Sequence, residues 1–248
     1  MNKTIGIICE GPRDSDMLSS IIDYLFENEN VTYRCIQPDE TLKTEYANGW
    51  KGVWRWCSEN GKSLNQIVNG ISPKLDLLIV QMDGDVSRNE KVSHCACSDK
   101  ICQFRGNMLP SECDTATCPV DIPCEKHGEP PLSYVTHLGR ILRDFFPTET
   151  VIPIIFVIPC DSTDAWLVAG LDARENCELI HDPWTSIISV GKSYHDVRIP
   201  KKKKAKGPYN ELIDKMLNNW GTVTNRCSQA KAFEQEIQEF FSQPLTPD

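Results

Sequence analysis

The sequence predicts an α/β protein with a mostly parallel sheet, helices on both sheet faces, and an inserted cysteine-rich segment. Short apolar runs rich in β-branched residues alternate with longer stretches whose apolar residues recur at helical spacing. One long stretch in the middle lacks both patterns and contains half of the cysteines. The chain has 248 residues, 40% of them hydrophobic, which suits one large domain or a core domain with an insertion.

The first part of the chain contains the clearest strands. Apolar runs end directly before Glu10-Gly11 and before Asp83-Gly84-Asp85, and each is short enough for a buried strand. The stretch after Glu10 has apolar residues at helical spacing and acidic residues in its first turn. The predicted elements are strands at 4–9, 31–36 and 76–82 and helices at 14–26 and 50–71, the last with a break near Gly61.

Regular patterns stop after residue 86 and return near residue 131. The intervening residues hold several prolines and little apolar periodicity, as expected for an inserted module. We therefore predict one α/β domain made of residues 1–86 and 131–248, interrupted by a module at 87–130. Its second part is predicted to contain helices at 132–146, 163–171, 209–220 and 229–241, a strand at 151–158 and an irregular basic stretch at 187–207.

Overall charge limits the classes of partner. The formal net charge is −9, so the chain as a whole is not a general binder of polyanions. Nucleic acid would have to bind a local basic patch. The apolar run at the amino terminus is too short for a signal peptide, and no run is long enough to span a bilayer. We expect a cytoplasmic protein without a membrane partner.

Acidic residues follow two of the predicted strands. In an open parallel sheet, ligands bind at the carboxyl ends of the strands, and both Glu10 and the pair Asp83 and Asp85 lie at that edge. Hard cations such as Mg²⁺ prefer oxygen ligands and take one or two carboxylates, which leaves room for phosphates and water. A third carboxylate can complete such a site or accept a proton. The sequence therefore favours a site for a hard cation such as Mg²⁺ formed by Glu10, Asp83 and Asp85, with a solvated loop after each strand as the alternative.

At these residues the chain resembles the Toprim family, which includes topoisomerases, bacterial primases and OLD-type nucleases. Its first motif, a glutamate that ends the first strand before a glycine, is matched by Ile7-Ile8-Cys9-Glu10-Gly11. Its second, Asp-x-Asp at the end of a later strand, is matched by Val80-Gln81-Met82-Asp83-Gly84-Asp85. The third aspartate of topoisomerases is absent because Ser87 occupies its place, which favours the nuclease-like branch. Asp14 or Asp16 matches an acidic residue early in the first helix of OLD-like members.

A later stretch, residues 158–167 with the sequence IPCDSTDAWL, resembles a segment of small stand-alone bacterial Toprim-like proteins. Asp164 stands there where glutamate is usual. The resemblance implies a Toprim/Rossmann-like fold, metal ligation by Asp83 and Asp85, and a ligand or acid/base role for Glu10. It also implies a second ion bound by Asp14, Asp161 and Asp164, an associated ATPase, and a place in bacterial defence or mobile elements. Trp166 is expected to be a core residue.

The cysteine-rich module has ligands for zinc. Structural zinc sites use four cysteine or histidine ligands, and metal binding can replace a hydrophobic core. The spacing matches no standard finger, so free thiols and iron–sulfur ligation remain alternatives. The predicted zinc ligands are Cys95, Cys97, Cys102, Cys113, Cys118, Cys124 and His127.

The stretch RIPKKKKAK at 198–206 reverses the acidic character of the chain and favours phosphate binding. Toprim-like nucleases commonly place a lysine near the metals. Lys192 or one of residues 201–204, for example Lys202, is the candidate here, and a solvated loop is the alternative.

Three functional hypotheses follow. The first is a metal-dependent nuclease or related enzyme that acts on phosphodiesters of nucleic acid, with DNA favoured over RNA. The second is a non-catalytic subunit that binds nucleic acid or a partner protein on a Toprim-like scaffold. The third is a nucleotide-sugar transferase that uses Asp83 and Asp85, in which Glu10-Gly11 would have no evident role.

Overall fold

A computed structural model describes residues 2–38, 49–87, 132–200 and 204–243. A four-stranded parallel sheet forms the centre of this part of the chain. Its strands are β1 (Asn2–Ile8), β2 (Asn30–Gln37), β3 (Leu77–Gln81) and β4 (Ile154–Val157), in the order β2-β1-β3-β4. The predicted α/β class with a parallel sheet is thereby confirmed.

The helices lie between and after the strands. They are α1 (Pro12–Leu25), α2 (Trp50–Asn60), α3 (Leu64–Gly70), α4 (Leu132–Asp144), α5 (Asp164–Leu171), α6 (Pro183–Ser189), α7 (Lys206–Leu217), α8 (Trp220–Arg226) and α9 (Ser228–Ser242). A two-stranded antiparallel hairpin, β5 (Ser193–Tyr194) and β6 (Val197–Arg198), precedes α7. Within the described residues, no helix is long and apolar enough to cross a membrane.

Alternating side chains of the strands point to two separate cores. On one face, the core combines Ile5, Ile7, Leu77 and Ile79 with helices α1 and α5–α9. On the other face, Ile8, Leu78 and Val80 pack against α2, α3 and α4. Burial of both faces explains why β1 and β3 are almost continuously apolar, as expected for the inner strands of a parallel sheet.

The order of the strands creates a crevice at one edge of the sheet. From β1 the chain moves outward to β2, then crosses back over β1 to form β3 on its other side. The helices that follow β1 and β3 pack on opposite faces: α1 lies on one, and α4 lies on the other together with α2 and α3. Such a reversal is where open α/β sheets bind ligands, and Glu10 and Asp83 follow its two strands.

The predicted elements are confirmed, with small shifts of their ends, except in the last quarter of the chain. The stretch expected to be irregular contains the end of α6 and the short hairpin. Helix α6 is stabilised at its start because the Asp182 carboxylate accepts the backbone N–H of Thr185 at 3.0 Å. Helix α8 was not predicted as a separate helix. Apart from Ser87, the cysteine-rich module predicted at 87–130 lies outside the described residues.

Candidate functional site

The two acidic motifs are in direct contact at the crevice. Oε1 of Glu10 accepts the backbone N–H of Asp83 at 2.8 Å, although 73 residues separate them. Strands β1 and β3 are neighbours, with Ile8 paired to Val80, so both acidic residues leave the sheet at the same level. Both side chains are half-buried. The structure thus brings together the two motifs that the sequence separates.

A glutamine not predicted from the sequence links the same two residues. Gln81, the last residue of β3, is fully buried; its Oε1 accepts the N–H of Glu10 at 3.1 Å, and its Nε2 donates to Oδ1 of Asp83 at 2.7 Å. One side chain therefore fixes the direction in which both carboxylates leave the strands. A polar residue inside an otherwise apolar strand was the signal that could have identified it.

Gly84 allows the end of β3 to approach the segment after β4. Its N–H donates to the carbonyl of Pro159 at 2.9 Å, and the N–H of Asp85 donates to the carbonyl of Asp161 at 3.2 Å. A Cβ at Gly84 would lie less than 3.0 Å from the carbonyl oxygens of Pro159 and Cys160. The glycine is thus needed for contact between two strand ends.

Asp14 faces the same site from the first turn of α1. It is buried, and its Oδ1 accepts the hydroxyl of Thr163 at 2.7 Å. Asp16, the other candidate for this position, forms an ion pair with Arg13 at 2.6 Å and lies 3.9 Å from Lys206. Asp14 is therefore the residue of α1 that belongs to the carboxylate group.

Asp164 is held at the start of α5 by residues from the carboxyl-terminal part of the chain. Its carboxylate pairs with Nζ of Lys204 and accepts the hydroxyl of Tyr209 at 2.9 Å. Asp164 and Tyr209 are almost completely buried, whereas the Lys204 side chain is 32% exposed. Lys204 belongs to the basic run that the sequence singled out, and the structure places it beside the acidic residues.

The carboxylates are close enough to change one another's titration. Burial raises the pKa of Asp83 well above its ordinary value, and the negative charges of Glu10, Asp14, Asp85 and Asp164 raise it further. Burial also raises the pKa of Asp14 to about 6, although the hydrogen bond from Thr163 and the charge of Lys204 oppose this. The site therefore contains more negative charge than the surrounding protein neutralises.

Lys204 is the cation that partly balances this charge. Burial alone would lower the pKa of its ammonium group. The adjacent Asp164, with weaker contributions from Asp14 and Asp83, reverses that effect, and the pKa lies above its ordinary value. Lys204 therefore stays protonated throughout the physiological pH range and links the group of carboxylates electrostatically.

Ser87 stands where topoisomerases have their third aspartate, and its surroundings explain why a charged side chain does not fit there. Its hydroxyl is buried and lies 3.0 Å from the carbonyl oxygen of Gly84 and 3.2 Å from that of Tyr134. A carboxylate in this place would face two carbonyl oxygens and would repel both. Ser87 thus stabilises the short 3₁₀ helix Gly84–Ser87.

The remaining predicted residues adjoin this group, lie apart from it, or are outside the described residues. Asp85 is half-buried and Asp161 is buried next to it. Lys192 is exposed, and in the described part of the chain its side chain contacts none of the carboxylates. Lys202 lies outside the described residues, as do the zinc candidates Cys95, Cys97, Cys102, Cys113, Cys118, Cys124 and His127. The described cysteines are thiols without disulfide bonds.

The donor chemistry suits a hard divalent cation, because carboxylate oxygens are the ligands that Mg²⁺ and Mn²⁺ prefer. In the described residues, however, no three acidic, histidine or cysteine side chains are arranged closely enough to form a metal site. Oε1 of Glu10, Oδ1 of Asp83 and Oδ1 of Asp14 accept hydrogen bonds from the protein instead. Metal ligation would require these side chains to move closer together, with their remaining carboxylate oxygens as ligands.

Comparisons with known proteins found no relative. No protein-family model matches the chain, and searches of curated proteins and of solved structures gave no match.

Proposed function

We propose that this protein is a metal-dependent enzyme that cleaves or transfers phosphodiester bonds of nucleic acid, with a fold of the Toprim type. The observation that supports it best is the hydrogen bond from the Asp83 backbone to the Glu10 carboxylate at the strand reversal. Two motifs that resemble Toprim motifs therefore lie side by side where open α/β sheets bind ligands. A Mg²⁺ or Mn²⁺ ion is the proposed cofactor, with DNA favoured over RNA.

Repulsion among the carboxylates supports the cation proposal. Burial, and after it the negative charges of its neighbours, raise the pKa of Asp83, and a divalent cation at this position would relieve the repulsion between the carboxylates. Glu10 and Asp83 would hold the ion, with Asp85 beside them, and Asp14, Asp161 and Asp164 are the residues for a second ion. When bound, such an ion stabilises negative charge on phosphoryl oxygens and lowers the pKa of a bound water.

Other residues of the chain would orient the carboxylates and supply a positive charge next to them. Gln81 holds the backbone N–H of Glu10 and the Asp83 carboxylate, and Thr163 holds the Asp14 carboxylate. Lys204 lies at the rim, partly exposed, where its ammonium group can bind a phosphate of the substrate. A half-buried carboxylate such as Glu10 is able to accept a proton from an attacking water.

A nuclease assay tests the proposal. Purified protein is incubated with plasmid, linear duplex, single-stranded DNA and RNA in Mg²⁺, in Mn²⁺ and in EDTA. We expect metal-dependent cleavage that falls at least 100-fold in Glu10→Gln and in Asp83→Asn. The exposed Asp214 supplies a matched control, Asp214→Asn, which should cleave like the wild type. If cleavage is equal in all four proteins, or if it persists in EDTA, metal-dependent catalysis at this site is excluded.

A non-catalytic binding subunit is the second candidate function. It is favoured by the Lys204–Asp164 ion pair, in which the chain supplies its own cation to the acidic group. This candidate predicts nucleic-acid or partner binding that is unchanged in Glu10→Gln and Asp83→Asn and unaffected by EDTA. Under either candidate function, the protein would bind the partner ATPase that the motif resemblance implies.

For residues 87–130 we propose a structural zinc module. Its support is the sequence alone, since six cysteines and His127 supply enough ligands for at least one ion. Elemental analysis of the purified chain should find one or two zinc ions per molecule. Replacement of Cys118 and Cys124 by serine should lower this number. Absence of stoichiometric zinc in protein prepared without chelators would remove the proposal, and stoichiometric iron would replace zinc with an iron–sulfur site.

A further inference from the structure

Two partly exposed tryptophans lie on opposite sides of the carboxylate site. Trp50 begins α2 on one face of the sheet, and Trp184 lies in the first turn of α6 on the other. Both are half-buried. Three of the six tryptophans, Trp56, Trp166 and Trp220, are instead buried in the cores, which confirms the expectation that Trp166 is a core residue.

Trp50 is joined to the Glu10 side of the site through its neighbour. Gly49, the residue before it, donates its N–H to the carbonyl oxygen of Glu10 at 2.8 Å. Gly49 has a φ of +84°, a conformation that favours glycine, and this turn sets the direction in which α2 begins. The backbone at the start of α2, which carries Trp50, is therefore held next to the segment that follows β1. Nζ of Lys51 lies 5.6 Å from the centroid of its ring.

Trp184 is joined to the Asp164 side in a similar way. Nζ of Lys204, which pairs with Asp164, lies 5.5 Å from the centroid of the Trp184 ring. The ring also packs against Tyr209, the second partner of Asp164, at a centroid distance of 5.8 Å. On this side a lysine therefore contacts both a carboxylate of the site and an aromatic ring.

Each side of the acidic crevice therefore has the same pair of chemical groups, an indole and an ammonium group close to its face. Proteins that bind single-stranded nucleic acid combine cationic side chains for the phosphates with aromatic rings on which unpaired bases stack. The bases of a duplex are already stacked and paired, so they cannot use such rings without being separated.

We propose that the site binds an unpaired polynucleotide strand, with one base stacked on Trp50, another on Trp184, and the intervening backbone across the carboxylates. Lys51 and Lys204 contact its phosphates. This inference rests on the proposed function for the reaction, but it specifies the substrate as single-stranded. Single-stranded DNA and single-stranded RNA both offer unpaired bases on a phosphate backbone, and the test distinguishes the two.

Binding is measured by fluorescence anisotropy with the full chain and labelled 20-residue single-stranded DNA, single-stranded RNA and duplex DNA. Ca²⁺ replaces Mg²⁺, and a parallel series uses EDTA, so that cleavage is not required. Loss of one stacked base typically weakens binding by about 5- to 150-fold. We expect a loss in this range for Trp50→Ala and for Trp184→Ala with at least one type of single strand. Trp50→Phe and Trp184→Phe, which keep an aromatic face, should stay within about threefold of the wild type.

Trp54 supplies the matched control. It lies one turn further along α2, is half-buried, and packs edge-on against Phe145 at 4.8 Å. Trp54→Ala, the counterpart of the two alanine variants, should bind single strands like the wild type. Circular dichroism and thermal unfolding verify that each variant is folded. If an alanine variant fails to fold, quenching of tryptophan fluorescence by the oligonucleotide, compared between wild type and the phenylalanine variants, gives the same information.

Two results would overturn the inference: duplex DNA bound as tightly as either single strand, or Trp50→Ala and Trp184→Ala variants that bind single strands like the wild type. Metal-dependent cleavage combined with either result would leave the proposed function intact. Conversely, tryptophan-dependent binding of single strands without cleavage would support this inference while the proposed activity fails.

Discussion

Asp14 illustrates how a single buried carboxylate can favour ligand binding at the expense of stability. Its side chain lies in the interior, and burial raises its pKa to about 6. At neutral pH it is nonetheless largely ionised, close to Asp83 and Asp164. An ionised group without full compensation destabilises the folded state, which is common at functional sites. The cost would be recovered when a cation binds.

Asp14→Asn tests this cost. Because the pKa of Asp14 is higher in the folded than in the unfolded chain, the folded chain binds more protons between about pH 4 and 6. The free energy of unfolding therefore decreases as the pH rises through this range. Without metal, Asp14→Asn should be more stable than the wild type at pH 7.5, by up to about 3 kcal/mol, and equal to it at pH 4. Urea unfolding at both pH values measures this.

Asparagine can still accept the hydroxyl of Thr163, so the comparison isolates the charge. Asp214→Asn, at an exposed position of α7, should show no such pH-dependent difference. If Asp14→Asn is less stable than the wild type at pH 7.5, the proposal that ionised Asp14 destabilises the folded state is contradicted.

The Lys204–Asp164 ion pair leads to a second prediction at this scale. Lys204→Met leaves the buried Asp164 without its cation and should lower the free energy of unfolding by about 3 kcal/mol. The double variant Asp164→Asn/Lys204→Met removes both charges and should recover more than half of that loss. Chemical denaturation of the single and double variants gives the coupling energy.

Lys206 provides the comparison for this pair. It is exposed, and its nearest carboxylate is 3.9 Å away, so Lys206→Met should change stability by less than about 0.5 kcal/mol. Equal effects of the two lysine variants would show that Lys204 is only a surface charge.

Sequence reasoning could identify the residues whose position follows from strand ends, but not their partners. Glu10 and Asp83 were predictable because each comes directly after an apolar run. Thr163 and Tyr209 became partners of Asp14 and Asp164 only through packing of α5 and α7 against the sheet. Lys204 was one of several lysines in a run, and nothing in the run distinguishes it from its neighbours.

At the level of elements, the close approach of the segments after β3 and β4 shapes the site. Gly84 has no side chain, so its backbone can donate to the carbonyl of Pro159 at 2.9 Å. That contact fixes the path of the backbone that carries Asp83 and Asp85 beyond the end of β3. A glycine between two acids can thus be required by packing alone, without any contact to a ligand.

Gly84→Ala should therefore destabilise the fold as well as any activity. The added methyl group would lie against two backbone carbonyls, which cannot move without separating the segments. We expect a loss of about 1–3 kcal/mol, which is typical of overpacking. Gly207→Ala is a suitable control, because a Cβ there meets no atom within 4 Å. Thermal unfolding that leaves both variants alike would contradict the role of this contact.

The sheet and its covering helices could be predicted because strands and helices differ in the period of their apolar residues. The boundaries of β1 and β3 were within about two residues of those observed. Helix α6 was missed because it has only 7 residues and lies next to a polar stretch, so its periodicity is too short to recognise. Its start depends on the Asp182 cap instead.

At the scale of the whole molecule, a cation at the site should stabilise the entire fold. Anything that binds only the folded state raises the free energy of unfolding, by about 2.7 kcal/mol at a concentration 100 times the Kd. We expect Mn²⁺ to raise the Tm of the wild type and EDTA to reverse the increase. Glu10→Gln/Asp83→Asn should show no increase, while Asp214→Asn should behave like the wild type.

Differential scanning fluorimetry across a range of Mn²⁺ concentrations measures this effect. Because a bound cation favours the ionised carboxylates, the increase in Tm should be larger at pH 8 than at pH 5. The same increase in the double variant would assign cation binding to another part of the chain.

The pairing of Asp164 with Lys204 and Tyr209 has a consequence for protein synthesis. Glu10 and Asp83 are synthesised well before Asp164, and Asp164 acquires its partners only when the chain has grown about 40 residues beyond it. A nascent chain on the ribosome therefore has the carboxylates long before it has the lysine and tyrosine that hold Asp164. An enzyme that cleaves nucleic acid would in this way remain incomplete while it is still attached to messenger and ribosomal RNA.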